Sequence, residues 1–187
     1  MRLLLLIFSL LTATVQAQTP ENGVEILPKG KEAIYKAEFK ITGNSINGFL
    51  AVSHKRNDVL HVSFTSPMGN NLLEMRWKNS RWKKIYAIDK LGGRHIFGMM
   101  AEDILLLFAH YQYDDKFVDL GNEWKWNKKI LLPVFESDKL VSFKIVGKRH
   151  RPAKIVSYER GEQKIDKMRI DHQGFAFSII LEPLKKK

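Results

Sequence analysis

The sequence predicts a mainly β protein with one or two helices, in which a curved antiparallel sheet forms an unclosed β-barrel packed on a buried apolar helix. Three observations lead there. Apolar and polar residues alternate with period two over most of the chain from Ala33 onward. Turn signals interrupt that alternation roughly every 10–12 residues, the rhythm of a meander. One segment, His95 to His110, instead carries apolar residues at helical spacing. A long antiparallel sheet must cover its apolar face or curl on itself, and this helix is available to cover it.

The elements follow in order. Tyr35, Ala37, Phe39 and Ile41 alternate with Lys36, Glu38 and Lys40, as in a half-buried strand. Thr42-Gly43-Asn44-Ser45 turns the chain, and Gly48 to Ser53 returns. After the charged turn His54-Lys55-Arg56-Asn57-Asp58, Leu60, Val62 and Phe64 face one way and His61, Ser63 and Thr65 the other. Ser66-Pro67-Met68-Gly69-Asn70-Asn71 is the next turn. It leads to Leu73, Met75 and Trp77 set against Glu74 and Arg76. Asn79-Ser80 turns into a fifth strand, Arg81 to Ile88. Gly92-Gly93 breaks the pattern. Ile96, Met99, Met100, Ile104, Leu107 and Phe108 then recur along the helix, widened by Leu105 and Leu106. Phe117 to Trp126 and Ile130 to Phe135 read as short strands or irregular edges. Alternation returns at Val141, Phe143 and Ile145. Ala153 to Tyr158 pairs with Lys164 to Ile170, and Phe175, Phe177, Ile179 and Leu181 close the sheet. The expected total is about ten strands, with Lys185 to Lys187 as a solvated tail.

Residues 1–17 have the pattern of a secretory signal peptide. Arg2 precedes an apolar run, Leu3 to Leu11, broken by Ser9, and Val15-Gln16-Ala17 stands before a cut at Gln18. That run is short of the roughly 20 residues of a membrane span. Residues 18–32, with Pro20, Gly23, Pro28 and Gly30, read as a flexible lead-in, and 33–187 as a single domain. The expected location is the periplasm, peripheral to the outer membrane. The chain has no cysteine, which excludes disulfides, thiolate metal sites and a cysteine nucleophile. Gln18 rather than Cys follows the cut, so no lipid anchor is expected there. The formal charge of +11 favours anionic partners, a membrane surface before all, and export makes nucleic acid the least expected of them.

The search for chemistry returns little. The six histidines show no paired spacing of the H-E-x-x-H kind. His110 with Asp114 and Asp115 can be drawn as a metal loop, but a polar helix end followed by a turn explains them better. Glu102 and Asp103 sit within an otherwise apolar helix and can be drawn as a catalytic carboxylate, but a solvent-facing stripe on the helix explains them better. There is no G-x-S-x-G, and Gly92-Gly93-Arg94 lacks the spacing of a phosphate loop. No catalytic residue, metal or cofactor is expected. Arg81, Lys83 and Lys84 beside Trp77 and Trp82, and the run Lys148-Arg149-His150-Arg151, suit either an anionic lipid surface or an ordinary solvated edge. Met68, in its Pro-Gly turn, is either an exposed apolar tip or folded back onto the sheet.

Gly48-Phe49-Leu50, followed by Leu60 to Thr65, the turn Ser66-Pro67-Met68-Gly69 and the alternating strand to Met75, resembles the LolA/LolB-like superfamily of lipoprotein-localisation proteins. The likeness is nearest the LolB-like branch. Ile96 to Phe108 fits the helix that plugs the sheet in that family, and Pro152 to Ile155, Ile165 to Ile170 and Phe175 to Leu181 fit its closing strands. The resemblance implies a half-barrel with an apolar cavity for acyl chains, and gives Met68 the part of the family's exposed apolar loop residue. The lipid-bearing Cys of LolB itself is absent, the family usually has more helices, and Gln112 to Lys139 matches nothing in it. The expected function is a lipid or lipoprotein carrier without catalysis. Its cavity candidates are Phe39, Leu50, Val62, Phe64, Leu73, Met75 and Trp77 from the strands and Met99, Met100 and Ile104 from the helix. Expected partners are acyl chains of lipids or lipoproteins, an anionic membrane and other envelope proteins. Two alternatives stand beside it: an envelope assembly factor binding through Trp77, Trp82 and the basic edge, and a hydrolase using Glu102 or Asp103.

Overall fold

A computed structural model describes residue 27 and residues 29–55, 59–114, 116–146, 152–161 and 164–184. Five hairpin-linked strands come first: β1 (Glu32–Ile41), β2 (Asn44–His54), β3 (Leu60–Thr65), β4 (Asn71–Lys78) and β5 (Arg81–Ala87). A single helical turn, α1 (Asp89–Gly92), leads into α2 (Arg94–Leu107) and a 3-10 turn, His110–Tyr113. Seven strands complete the chain: β6 (Phe117–Asp119), β7 (Trp124–Trp126), β8 (Lys129–Glu136), β9 (Lys139–Val146), β10 (Pro152–Arg160), β11 (Ile165–His172) and β12 (Phe177–Pro183). All lie in one 12-stranded sheet of order β5-β4-β3-β2-β1-β12-β11-β10-β9-β8-β7-β6. Every pairing is antiparallel.

The order follows from tight turns. Thr42-Gly43, Asn79-Ser80, Asn127-Lys128 and Ser137-Asp138 each place two consecutive residues at positive φ. That is the backbone of a two-residue hairpin loop whose twist matches the strands it joins. Each hairpin therefore adds a strand beside the last. The first meander grows outward to β5 and the second returns inward from β6 to meet β1 at β12. Gly48 is needed where β2 passes β3, since an added Cβ would lie 2.0 Å from the Thr65 carbonyl oxygen.

The chain must cross between the two free edges, β5 and β6, and α2 makes most of that crossing. The sheet curls to allow it. Asp114, just past the helical segment, accepts a hydrogen bond from Ser80 Oγ (3.2 Å) in the β4–β5 turn and another from Trp126 Nε1 (3.1 Å) on β7. One buried carboxylate thus ties the two ends of the sheet, and no strand pairing closes them among the described residues. The result is the expected unclosed barrel around a helix.

The short strands expected of Phe117 to Trp126 are present, and two other details differ from the sequence reading. Phe117 to Trp126 holds two strands of three residues each, too short to display period two, joined through Gly121 at φ 82°. The helix stops at Leu107 rather than His110, because Ala109 adopts a left-handed backbone (φ 52°). The expected lead-in is anchored at its end: Leu27 is buried and its carbonyl accepts from His54 Nδ1 at 3.0 Å. The expected signal peptide, the basic run Lys148 to Arg151 and the tail Lys185 to Lys187 lie outside the described residues.

Candidate functional site

Alternation sends Tyr35, Ala37 and Phe39 of β1, Leu50 and Val52 of β2 and their neighbours to the concave face. Of the cavity candidates, Phe39, Leu50, Val62, Phe64, Leu73 and Met75 are fully buried there, and Trp77 is nearly so. Met100 and Ile104 of α2 are also fully buried and belong to the same apolar cluster. The structure therefore brings nine of the ten candidates into one packed layer, with α2 lying on the bed they form. Met99 is half-buried and lines an open cleft on the flank of the helix. The bed also extends over the second meander, where Trp124, Trp126, Leu131, Phe143, Val156 and Ile170 complete it.

The seat of α2 is not wholly apolar. Glu102 and Asp103 are not the solvent-facing stripe the sequence led us to expect: Asp103 is fully shielded, and Glu102 is half-buried. Lys154 Nζ, from β10, donates to Glu102 Oε1 (2.6 Å) and to Asp103 Oδ1 (2.7 Å). His172 Nε2, from β11, meets Asp103 Oδ2 at 2.7 Å. Lys129, from the start of β8, bonds the other oxygen of Glu102. Lys154 and His172 are direct cross-strand partners, so their side chains rise from the sheet together. Burial pushes the Glu102 carboxyl up, but the charges of Lys154 and Lys129 outweigh it and hold the group below its ordinary range. Burial likewise pulls on Lys154, and the two carboxylates outweigh it and raise its pKa. This polar seam pins the middle of α2 to three strands. Both oxygens of Asp103 are engaged and sealed from solvent, which leaves it no access to a substrate.

Met68 stands apart from this layer. It is 88% exposed at the tip of the β3–β4 turn. The turn beneath it is ordered: Gly69 N donates to Ser66 O (2.9 Å), Ser66 N to Asn70 O (2.8 Å) and Asn70 N to Ser66 Oγ (3.1 Å). Gly69 supplies the left-handed backbone at φ 84°. At the base of the turn, Phe49 pairs in register with Thr65, the last residue of β3, and is 38% exposed. Lys36 pairs with Phe49 from the other side.

The aromatic half of the basic-aromatic surface is not presented to solvent. Trp77 points into the core and packs on the half-buried Trp82, with ring centroids 5.5 Å apart. Arg81, Lys83 and Lys84 remain exposed. Among the described residues, no group of three histidine or carboxylate side chains is placed to hold a metal ion. Asp114 is committed to its strap, and His110 is buried edge-on against His54, with ring centroids 4.7 Å apart.

No family model matches the chain, and no curated relative matches it. Among solved structures it is similar to a LolA superfamily protein from Nitrosomonas europaea, at 13% identity and a TM-score of 0.48, over 88% of this chain and 89% of the other. It is also similar to a DUF1329 family protein from Desulfovibrio piger, at 10% identity and a TM-score of 0.45, over 83% and 85% of the two chains. Both likenesses are too distant to lend this chain a ligand or an activity.

Proposed function

We propose that this protein is a lipid- or lipoprotein-binding carrier of the bacterial envelope, without catalysis, that meets the membrane through Met68 and shelters acyl chains between the concave sheet and α2. Met68 carries the reading. A long apolar side chain is held almost fully in water on a turn with its own hydrogen bonds, so its exposure is built in. Phe49 and Lys36, in register with Thr65 at the base of the turn, supply a second apolar group and a cation for an anionic surface. The sequence resemblance to LolB-like proteins at Ser66-Pro67-Met68-Gly69 and the leader-like residues 1–17 support placement in the periplasm.

An acyl chain would take the place α2 now fills on the bed of Phe39, Leu50, Phe64 and Met75. Each methylene sheltered there contributes about 0.8 kcal/mol. The helix is bounded by Gly92-Gly93 at one end and the left-handed Ala109 at the other, two places where it can pivot.

Flotation with vesicles of phosphatidylethanolamine and phosphatidylglycerol tests the membrane contact. Burying a methionine side chain is worth about 1.5–3 kcal/mol, so Met68→Glu is expected to lower vesicle binding about tenfold or more. Unchanged binding overturns the contact. Displacement of an acyl-chain fluorophore by the delipidated protein tests the carrier role, and no uptake of the fluorophore overturns it.

A further inference from the structure

The open cleft beside α2 has a volume of about 530 Å³ and is lined by Arg94, His95, Gly98, Met99, Glu102 and Lys154. It is separate from the apolar bed, and Met99 is the apolar side chain in its lining. Its charges do not balance. Glu102 and Asp103 are matched by Lys129 and Lys154 within the seam. Arg94 has no acidic partner among the described residues, and His95 is exposed beside it. Lys154 uses two of the three ammonium donors on carboxylates, which leaves one for a ligand in the cleft.

Gly98 is the second observation. It sits inside α2, where glycine is the poorest helix former after proline. Nothing in its surroundings requires glycine, since a Cβ added there would meet no atom within 4 Å. Its φ does not fall in the left-handed range. What a side chain at this position would do is project into the open cleft.

We propose that the cleft binds the phosphate-bearing headgroup of the amphiphile whose chain the protein carries, with Arg94, His95 and the free donor of Lys154 as its contacts, and that Gly98 keeps the space open. This deepens the carrier reading above and rests on it for the chain. The half-buried Met99 supplies the apolar part of the cleft's lining.

Two probes with the same acyl chain test it: myristoyl lysophosphatidylglycerol and the uncharged monomyristoylglycerol. The native protein is expected to bind the phosphate-bearing probe about tenfold more tightly, the size of one charge-assisted hydrogen bond. Gly98→Leu and Arg94→Gln are each expected to abolish that preference and leave binding of the uncharged probe unchanged. Gly98→Leu is also expected to unfold at the same temperature as the native protein or higher, which separates a filled cleft from a damaged fold. Equal binding of the two probes by the native protein overturns the headgroup site while leaving the carrier reading intact. Binding of neither probe overturns the carrier reading, and the cleft is then read alone with glycerol 3-phosphate by amide chemical shifts. Shifts confined to 94–102 and Lys154 keep an organophosphate site. No shift overturns the proposal.

Discussion

Removing the Lys154 ammonium by Lys154→Met tests whether the polar seam behaves as a buried network. The methionine keeps most of the stem and its packing, so the charge is the main loss. Two charge-assisted bonds, of 2.6 and 2.7 Å, disappear at once. Glu102 keeps Lys129, and Asp103 keeps His172 but loses a cation at a site with no solvent access. The Lys154 side chain is 12% exposed and that of Asp103 0%, so water cannot make good the loss at Asp103, whereas Glu102 lines the open cleft and can be hydrated. Removing one partner from a buried pair costs about 3–5 kcal/mol, against about 0–1 kcal/mol for a surface pair. At roughly 2–4 °C per kcal/mol for a chain of this size, the melting temperature is expected to fall by roughly 6–20 °C. Urea unfolding followed by tryptophan fluorescence, with a double-mutant cycle on Asp103→Asn, reads the coupling. A loss below about 1 kcal/mol would refute the reasoning, because it would mean the seam is hydrated like a surface pair.

The same seam sets the expected dependence of stability on pH. Glu102 is held below its ordinary value, so its contribution is present above the unfolded-state pKa and is lost as pH falls through the lowered folded value. Lys154 is raised, and Tyr35 is pushed by burial to about 12, so both contributions are present below their unfolded values and are lost as pH rises through the folded ones. Stability measured against pH is therefore expected to be flat near neutrality and to fall at both ends, with the acid limb moved to higher pH in Lys154→Met. Gly48→Ala places a Cβ 2.0 Å from the Thr65 carbonyl oxygen, a backbone group that cannot step aside. It is expected to cost at least about 1–3 kcal/mol in urea unfolding, whereas alanine at the unobstructed Gly98 is expected to be neutral or stabilising.

Much of this site is written in the parity of the strands. Lys154 shares its face with Val156 and Tyr158, His172 with Met168 and Ile170, and Lys129 with Leu131. In each case the apolar partners are buried, so a cation at that parity must point inward. On α2, Asp103 falls among Met100, Ile104 and Leu107, on the stripe that faces the sheet. Inward acids on the helix and inward cations on the strands were thus both legible. Their meeting was not, because it depends on which strands α2 crosses, and that depends on β6 and β7. Strands of three residues carry too little pattern to be counted from sequence. The anchoring of Leu27 was illegible for another reason: it is a single apolar residue in a polar stretch, with no period to mark it.

The chemistry of the seam also bears on why a helix over an apolar bed carries acids at all. Replacing a buried ion pair by apolar residues of similar volume is often neutral or stabilising by about 1–4 kcal/mol. Stability alone therefore gives no reason for Glu102 and Asp103. An apolar helix on an apolar bed can slide or rotate at little cost, since dispersion contacts have no fixed partner. Four bonds to three side chains from three strands fix one position. They also concentrate what is directional about the seat into the middle of the helix, next to the cleft that Glu102 and Lys154 line. The headgroup proposed above for that cleft would meet the remaining donor of the same ammonium that holds Glu102 and Asp103.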